Sequence, residues 1–501
     1  MTNWLTNNRL WIFILLAIGV LSITAFNGRW GGDFWIHAAV VRELSSHLFD
    51  PRNPLLSTTT PDALFSPYAI ALGWGTKILG ISNIEGLLLG GILNLIVFFL
   101  SFTFFFRELK ERSGACFYSL ICMFLLWGEK SWFFSGFLDL RSFSFIFPYP
   151  SFFAIGLVFF MWGCFLRYRS QAVLQIFLVV LLLATVLLTH PFTALGGGIG
   201  LLSLAFCEES KSRVRSVFVV LCSGIVGLGL ASCWSYYPFL ALILEEFPKY
   251  REFSSGFIHY EHVLKNTWPA FLGAAILLVR LRDKHYQPFS LMFAGALLLY
   301  LLGYVAGVSV FGRLISFVML MAHCGMGCFL AEMEEKYRNR FPGRLLVYSS
   351  VVSGCILLVL LFDTRTVGGL QYSSIQQYQF LSRKVGAGDA VVMTDLLTGN
   401  IVPAFSGKVI AAMHPPWFVE DFAERRDAVE SFFSPDTSIE QRRAILEKFQ
   451  VKFVLYNAYN LPLPREAVFA LLPLGKLVYS DDYFLLLAVT AEERIQQVEA
   501  R

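Results

Sequence analysis

Long apolar stretches dominate this chain, and polar residues collect in the gaps between them. Runs of about bilayer-crossing length recur over the first 362 residues. They lie at 10–27, 84–106, 113–128, 149–167, 171–189, 191–207, 215–233, 265–281, 287–307, 312–331 and 344–362. After the last run the pattern changes in kind. "DAVVMTD", "KVIAAM", "VKFVLYN", "KLVYS" and "YFLLLAV" have the length and composition of short strands, and "FVEDFAERRDAVESFF" that of a helix. "TSIEQRRAILEKF" begins a further helix with a capping-box spacing from Thr437 to Glu440. The pattern predicts a mainly α, polytopic membrane helix bundle of about 11 spans over 1–362, with a first extracytoplasmic loop at 28–83. A C-terminal extracytoplasmic α/β domain follows over 363–501.

Composition strengthens this reading. The 501 residues are 56% hydrophobic and 15% charged, whereas a soluble protein carries roughly a quarter charged residues. Mean hydropathy is +0.60. All nine cysteines fall in or beside apolar runs with no CxxC or Cys/His spacing, which suits packing rather than disulfides or zinc. The first run, "LWIFILLAIGVLSITAF", has no A-x-A site and is expected to be a retained span rather than a signal peptide.

Charge placement sets an orientation. Lys and Arg cluster in alternate gaps: Arg107, Lys110 and Arg112; Arg167 and Arg169; Lys211, Arg213 and Arg215; Arg280, Arg282 and Lys284; and Lys336, Arg338, Arg340 and Arg344. The positive-inside rule puts these gaps in the cytoplasm, with the amino terminus inside and the carboxyl terminus outside. The segment 66–82, "SPYAIALGWGTKILGIS", is expected to lie at the interface, because counting it as a span would invert everything after it. No P-loop, Rossmann fingerprint or nucleic-acid module occurs, so no nucleic-acid partner is expected. "ALGGGIG" at 194–200 lies within a span and fits close helix packing.

Candidate chemistry gathers in the outside segments. In "NGRWGGDFWIHAAVVREL" a helix starting near Asp33 would carry Asp33, His37, Val40, Val41, Leu44 and Leu48 on one face. A helix amino terminus favours an anion. Asp33 as a plain N-cap with His37 as its satisfied neighbour is the alternative. Asp139 and Arg141 lie in the second outside loop, and His190 ends a span in "LLTHPFTAL". Lys249, Arg251, His259 and His262 fall in the outside loop 234–264, and Arg313 opens a span in "VFGRLISF". Ionisable groups at span edges are costly unless paired or solvated, which makes them site candidates. Snorkelling of Arg313, a solvated face for Lys249 and Arg251, and a carbonyl bond for His190 are the structural alternatives. His323 reads as a core histidine, His285 as inert, and His414 in "HPPWF" as a packing residue.

The layout resembles the GT-C superfamily of membrane glycosyltransferases. The features that carry the likeness are a first span, a long outside loop opening with Asp33, an interfacial helix with a "SPY…LG" outline, "LLTHPFTAL", "CWSYYPF", an Arg-led late span and an outside α/β tail. Protein mannosyltransferases, lipid A aminoarabinose transferases and unassigned bacterial relatives share this plan. The resemblance implies a glycosyltransferase in the cytoplasmic membrane with a polyprenyl-phosphate-linked sugar as donor and a glycan, lipid or protein acceptor. Asp33 matches the family's first-loop acid, as base or as partner to the acceptor or a metal, and His37 matches the histidine of a D-x-x-x-H form. Many members carry paired acids, whereas Asp33 stands alone in "GGDFW", which speaks against a metal-dependent mechanism that would want clustered carboxylates; no cofactor is certain, and a divalent metal stays possible with its ligands unknown. Asp139 could supply a second acid. Arg141 and Arg313 are the expected phosphate contacts, with Lys249 and Arg251 in reserve.

Two other classes of function compete. A lipid or polysaccharide transporter would place charged or broken helices at mid-membrane, whereas here the polar groups crowd one side. A non-catalytic envelope scaffold is the second. An O-antigen ligase or polymerase would carry its main outside loop between late spans.

Overall fold

The computed structural model describes residues 2–27, 29–128, 136–249, 255–337, 340–363, 373–386, 388–413 and 416–489. Arg251 and His414 lie outside them, as does the end of the tail beyond 489. The order begins α1 (Thr2–Asn27), β1 (Arg29–Trp30), α2 (Asp33–Ser46), α3 (Pro67–Leu79), α4 (Asn83–Glu108), α5 (Ala115–Leu125) and α6 (Leu140–Ile146). It continues through α7 (Pro150–Arg167), α8 (Ala172–Thr189), α9 (Pro191–Phe206) and α10 (Ser210–Ser232).

Among the described residues, seven helices are long and apolar enough to cross a membrane: Asn8–Phe26, Asn83–Glu108, Pro150–Arg167, Ala172–Thr189, Ser210–Ser232, Gln287–Val305 and Ser309–Tyr337. The other four expected spans also fall on helices, with shorter apolar parts at Ala115–Leu125, Pro191–Phe206, Val263–Val279 and Tyr348–Leu360. Local causes shorten three of them. Gly114, at φ 93°, starts α5 abruptly, Pro191 opens α9, and the tight turn Trp268–Ala270, with Pro269, interrupts the third. The segment expected at the interface is α3.

By packing, the chain divides into two compact units that interleave along the sequence. The first comprises Met1–Gly28, Ser66–Tyr68 and Leu88–Gly368; the second comprises Arg29–Phe65, Ala69–Leu87 and Gly369–Arg501. The second unit thus holds most of the first loop together with the tail.

The first unit is a helix bundle in which α5 packs on the helix Ile315–Tyr337, α8 on α10, and α7 on α8 and α9. Phenylalanine fills its centre. Rings of Phe98 and Phe152 lie 5.0 Å apart, Phe102 and Phe159 4.8 Å, and Phe124 and Phe143 4.6 Å. The glycines of "ALGGGIG" serve this packing: a side chain at Gly196 would strike Phe317, and one at Gly200 would strike Trp162. Trp162 Nε1 donates to the Gly197 carbonyl at 2.9 Å.

Ion pairs tie together the gaps where the basic clusters lie. Arg9 meets Glu334 at 2.5 Å, Arg112 meets Glu332 at 3.7 Å and Glu335 at 3.3 Å, and Arg280 meets Glu332 at 3.3 Å. Arg167 reaches Glu108 at 3.6 Å, and Arg169 reaches Glu208 at 3.2 Å. Those basic gaps therefore share one end of the bundle. His285 sits in the same network, 3.5 Å from Glu111. His323 is buried and bonded to the Leu126 carbonyl at 2.9 Å.

The second unit is built on a five-stranded sheet of order β4-β3-β5-β7-β6. Its strands are β3 (Val391–Met393), β4 (Lys408–Val409), β5 (Val451–Asn457), β6 (Gly475–Ser480) and β7 (Phe484–Val489). β3 pairs in parallel with β4 and β5, and β7 pairs antiparallel with β5 and β6. Strand β2 (Ser373–Ser374) pairs with β1, and Leu56 bridges to Val409 at the sheet edge. The helices Phe422–Phe433 and Ile439–Lys448 connect β4 to β5. The second helix is capped one residue later than the spacing suggested, by a Ser438–Gln441 box. Thr437 instead spends its hydroxyl on the Ser431 carbonyl at 2.5 Å.

Candidate functional site

Helix α2 begins at Asp33, and its N-cap is Gly32, whose φ of 57° suits glycine. No side chain caps this end. Asp33 is therefore a first-turn residue rather than the cap, and its carboxylate is exposed at the positive end of the helix dipole. One turn on, His37 is half-buried. Burial pulls its pKa down to about 4, and the nearby charge of Asp33 only partly opposes this. The imidazole is neutral at physiological pH beside an open carboxylate.

The rest of the helix holds this pair still. Phe34, Trp35, Val40, Val41 and Leu44 are buried, so the face drawn from sequence does pack inward. Leu48 lies beyond the end of the helix at Ser46. Phe34 stacks on Trp30 at 4.2 Å, and Trp35 leans on Phe405 at 5.5 Å.

Sequence reasoning missed the residues that anchor this helix. Glu43, nearly buried, accepts from Lys408 at 2.7 Å. Lys408 also donates to the carbonyls of Asn53 at 2.6 Å and Pro54 at 3.3 Å, so its ammonium is fully occupied. Burial works against the charge on Glu43, but Lys408 and the Arg52 backbone N–H hold its pKa below the ordinary value. Beside it, Arg42 Nη2 donates to the Gly407 carbonyl at 2.7 Å. Asp62 is a further buried acid; burial lifts its pKa to about 7 against the Leu64 N–H bond and the pull of Lys408. No local pattern announces these residues, since the partners of Glu43 and Arg42 lie in the tail.

In the first unit the structure brings two candidates together. His190 and Arg313 line one small cavity with Gly136, Phe192, Thr193 and Ser316. Arg313 half-covers the Phe192 ring, 5.1 Å from its centroid. His190 caps α9: its Nδ1 accepts from the Thr193 N–H at 3.3 Å and lies 2.7 Å from the Thr193 hydroxyl. An accepting Nδ1 puts the proton of the neutral ring on Nε2.

Asp139, His259, His262 and Lys249 are not among the residues that line this cavity. Asp139 is buried and caps α6, accepting from the Ser142 N–H at 3.1 Å. Arg141 lies in α6. His259 is buried against the Phe137 ring at 5.6 Å, and Tyr300 donates to its carbonyl at 2.9 Å. His262 is exposed in a left-handed turn. Lys249 is exposed and paired with Glu246 at 2.7 Å. Among the described residues, no group of three or more His, Cys, Asp or Glu side chains is arranged to hold a metal.

No protein-family model matches the chain, and no curated protein matches it. Solved structures do. ArnT from Cupriavidus metallidurans bound to undecaprenyl phosphate superposes with a TM-score of 0.62 at 12% identity, over 97% of this chain and 99% of that one. AglB, an oligosaccharyltransferase from Archaeoglobus fulgidus, was solved with an inhibitory peptide and a dolichol-phosphate. It superposes at 0.58 and 12% identity, over 91% and 70%. The arabinofuranosyltransferase AftD from Mycobacteria superposes at 0.58 and 13%, over 97% of this chain but 40% of that one. This is the GT-C fold. At such identities the likeness is one of architecture, and the GT-C layout of a helix bundle followed by a C-terminal domain is the one expected from sequence.

Proposed function

We propose that this chain is a GT-C type glycosyltransferase that moves a sugar from a polyprenyl-phosphate-linked donor to a glycan, lipid or protein acceptor. The observation that carries the proposal is the convergence of Arg313 and His190 on one cavity in the bundle. A guanidinium with an Nε2–H imidazole suits a lipid phosphate, the group bound in the ArnT and AglB structures. The sharing of one bundle end by the basic gaps supports an orientation with that end in the cytoplasm and transfer at the outer face of the cytoplasmic membrane.

The chemistry follows from the groups. An acceptor hydroxyl oxygen bonds to the anomeric carbon as the bond from that carbon to the phosphate oxygen breaks. The hydroxyl proton passes to Asp33, and the polyprenyl phosphate leaves with the bonding pair. Asp33 suits the base because its carboxylate is exposed in the first turn of the helix, where an acceptor can reach it. His37, held neutral by burial, orients the carboxylate or shares its proton. Arg313 offsets the charge gathering on the leaving phosphate, with Arg141, Lys249 and Arg251 as further cations. Asp139 and His259, being buried, act by holding the outer loops in place.

One AglB structure contains Zn and sulfate. Here Asp33 and His37 offer one carboxylate and one imidazole, short of the three or four protein ligands of a zinc site, and no step is routed through a metal. The deciding experiment incubates the purified chain with a panel of polyprenyl-phosphate sugars, with and without divalent ions, and follows release of the lipid phosphate. Turnover that Asp33→Asn abolishes supports the reading. No turnover with any donor returns the chain to a scaffold or transporter.

A further inference from the structure

The tail sheet carries a second cluster of polar groups, away from Asp33 in sequence and unused by the transfer chemistry. Strands β3 and β5 run parallel and adjacent. The chain leaving β3 turns toward β4 on one side, and the chain leaving β5 turns toward β6 and β7 on the other. Such a divergence opens a crevice at the carboxyl ends of the strands, where α/β sheets bind ligands.

The residues at those two strand ends form one connected hydrogen-bond chain. Asn457 Nδ2 donates to the Thr398 hydroxyl at 3.0 Å, and Asn460 Nδ2 donates to the same oxygen at 2.9 Å. With both lone pairs of that oxygen taken, the Thr398 hydroxyl proton points on to Asp395, whose Oδ1 also accepts the Thr398 N–H at 2.9 Å. The chain of donors ends on a carboxylate with one oxygen to spare. Asp395 is 8% exposed and its Oδ2 has no hydrogen-bond partner; Thr394, 1% exposed, has a hydroxyl in the same condition. Each such group is costly to bury unsatisfied. Beside them two aromatic rings lie open. Tyr459 is 44% exposed and Tyr483 53%, packed edge to face with centroids 6.4 Å apart.

We propose that this crevice is a carbohydrate-binding site for a neutral oligosaccharide, with Asp395 and Thr394 engaging sugar hydroxyls and Tyr459 and Tyr483 stacking on sugar faces. A hydroxyl supplies the donor that Asp395 Oδ2 lacks, and exposed rings present flat apolar surface to the C–H face of a pyranose. The members of the cluster are neutral or acidic, which turns away phosphates and other anions. The site binds without reacting, so it stands apart from the donor chemistry at Asp33 and Arg313.

The test uses the full chain in detergent, fluorescently labelled, on an array of immobilised neutral and anionic oligosaccharides. Wild type is expected to be retained on a subset of the neutral glycans. Tyr459→Ala, an exposed change that leaves the fold intact, is expected to weaken retention about tenfold, as is Asp395→Asn. Failure of wild type to bind any neutral glycan overturns the site, as does equal retention of wild type and Tyr459→Ala. Should Asp395→Asn unfold, Tyr459→Ala and Tyr483→Ala decide alone. Because retention requires no turnover, loss of the transfer activity in the separate donor assay leaves this outcome unaffected.

Discussion

Two carboxylates share helix α2 and have opposite fates. Asp33 stands exposed in the first turn with a glycine as cap, whereas Glu43 is buried and fully matched by Lys408. The same helix thus presents one acid to solvent and uses another to lock itself to the strand that carries Lys408. A solvent-exposed carboxylate can exchange a proton with what reaches it; one held by an ammonium and backbone donors cannot do so without breaking its surroundings. On the mechanism proposed above, the contrast separates a residue that reacts from one that positions.

The strongest way to break that contrast is to neutralise each acid in turn. Asp33→Asn is expected to lower transfer by about 10²–10⁴-fold, the range for a general base, with melting temperature unchanged. Full activity in Asp33→Asn removes the residue from the mechanism. Lys408→Met is expected to do the reverse, costing about 3–5 kcal/mol of stability by leaving Glu43 charged and buried. Thermal melts of the chain in detergent measure it. Adding Glu43→Leu should restore most of the loss, because a well-packed apolar pair can replace a buried ion pair. If the double variant melts no higher than Lys408→Met, the pair is not the lock.

Arg313 sharpens the same division in the other unit. Arg313→Ala is expected to weaken donor binding by about 1.5–3 kcal/mol, the value of a hydrogen bond to a charged group. Binding of polyprenyl phosphate to wild type and variant measures this, and unchanged affinity makes Arg313 a packing partner of Phe192.

Much of the architecture was legible from local pattern. The strands in "VKFVLYN" and "YFLLLAV" form β5 and β7, short apolar runs too brief for a stable helix, the first of them rich in β-branched and aromatic residues. The apolar runs became helices for want of any other way to satisfy their backbone in lipid. What could not be read depended on partners distant in sequence. Glu43 is one charge among several in "VVRELSSH" until Lys408 arrives from the far end of the chain. The orphaned oxygen of Asp395 exists only once two strand ends meet. Even the displaced capping box is a tertiary effect, since Thr437 turns back to Ser431 and leaves the cap to Ser438.

Asp62 offers the smallest and cleanest measure of how a buried acid behaves without a full partner. Burial raises its folded pKa to about 7 from 3.8. The folded state therefore holds the proton more tightly than the unfolded chain throughout that window. Its stabilising contribution is complete below the unfolded pKa and is lost as pH rises through about 7. Between pH 6 and pH 7 wild type should lose about 1 kcal/mol relative to Asp62→Asn, since a full pKa unit is worth about 1.4 kcal/mol. His37 acts in the opposite sense, because its lowered pKa makes stability rise with pH between about 4 and 6.5. Both proteins carry His37, so the difference between their melting curves isolates Asp62. The amide keeps an oxygen to accept the Leu64 N–H and carries no charge to bury. A difference that stays flat from pH 6 to pH 7 would mean that Asp62 is ionised throughout, with the Lys408 ammonium supplying more of its environment than burial removes.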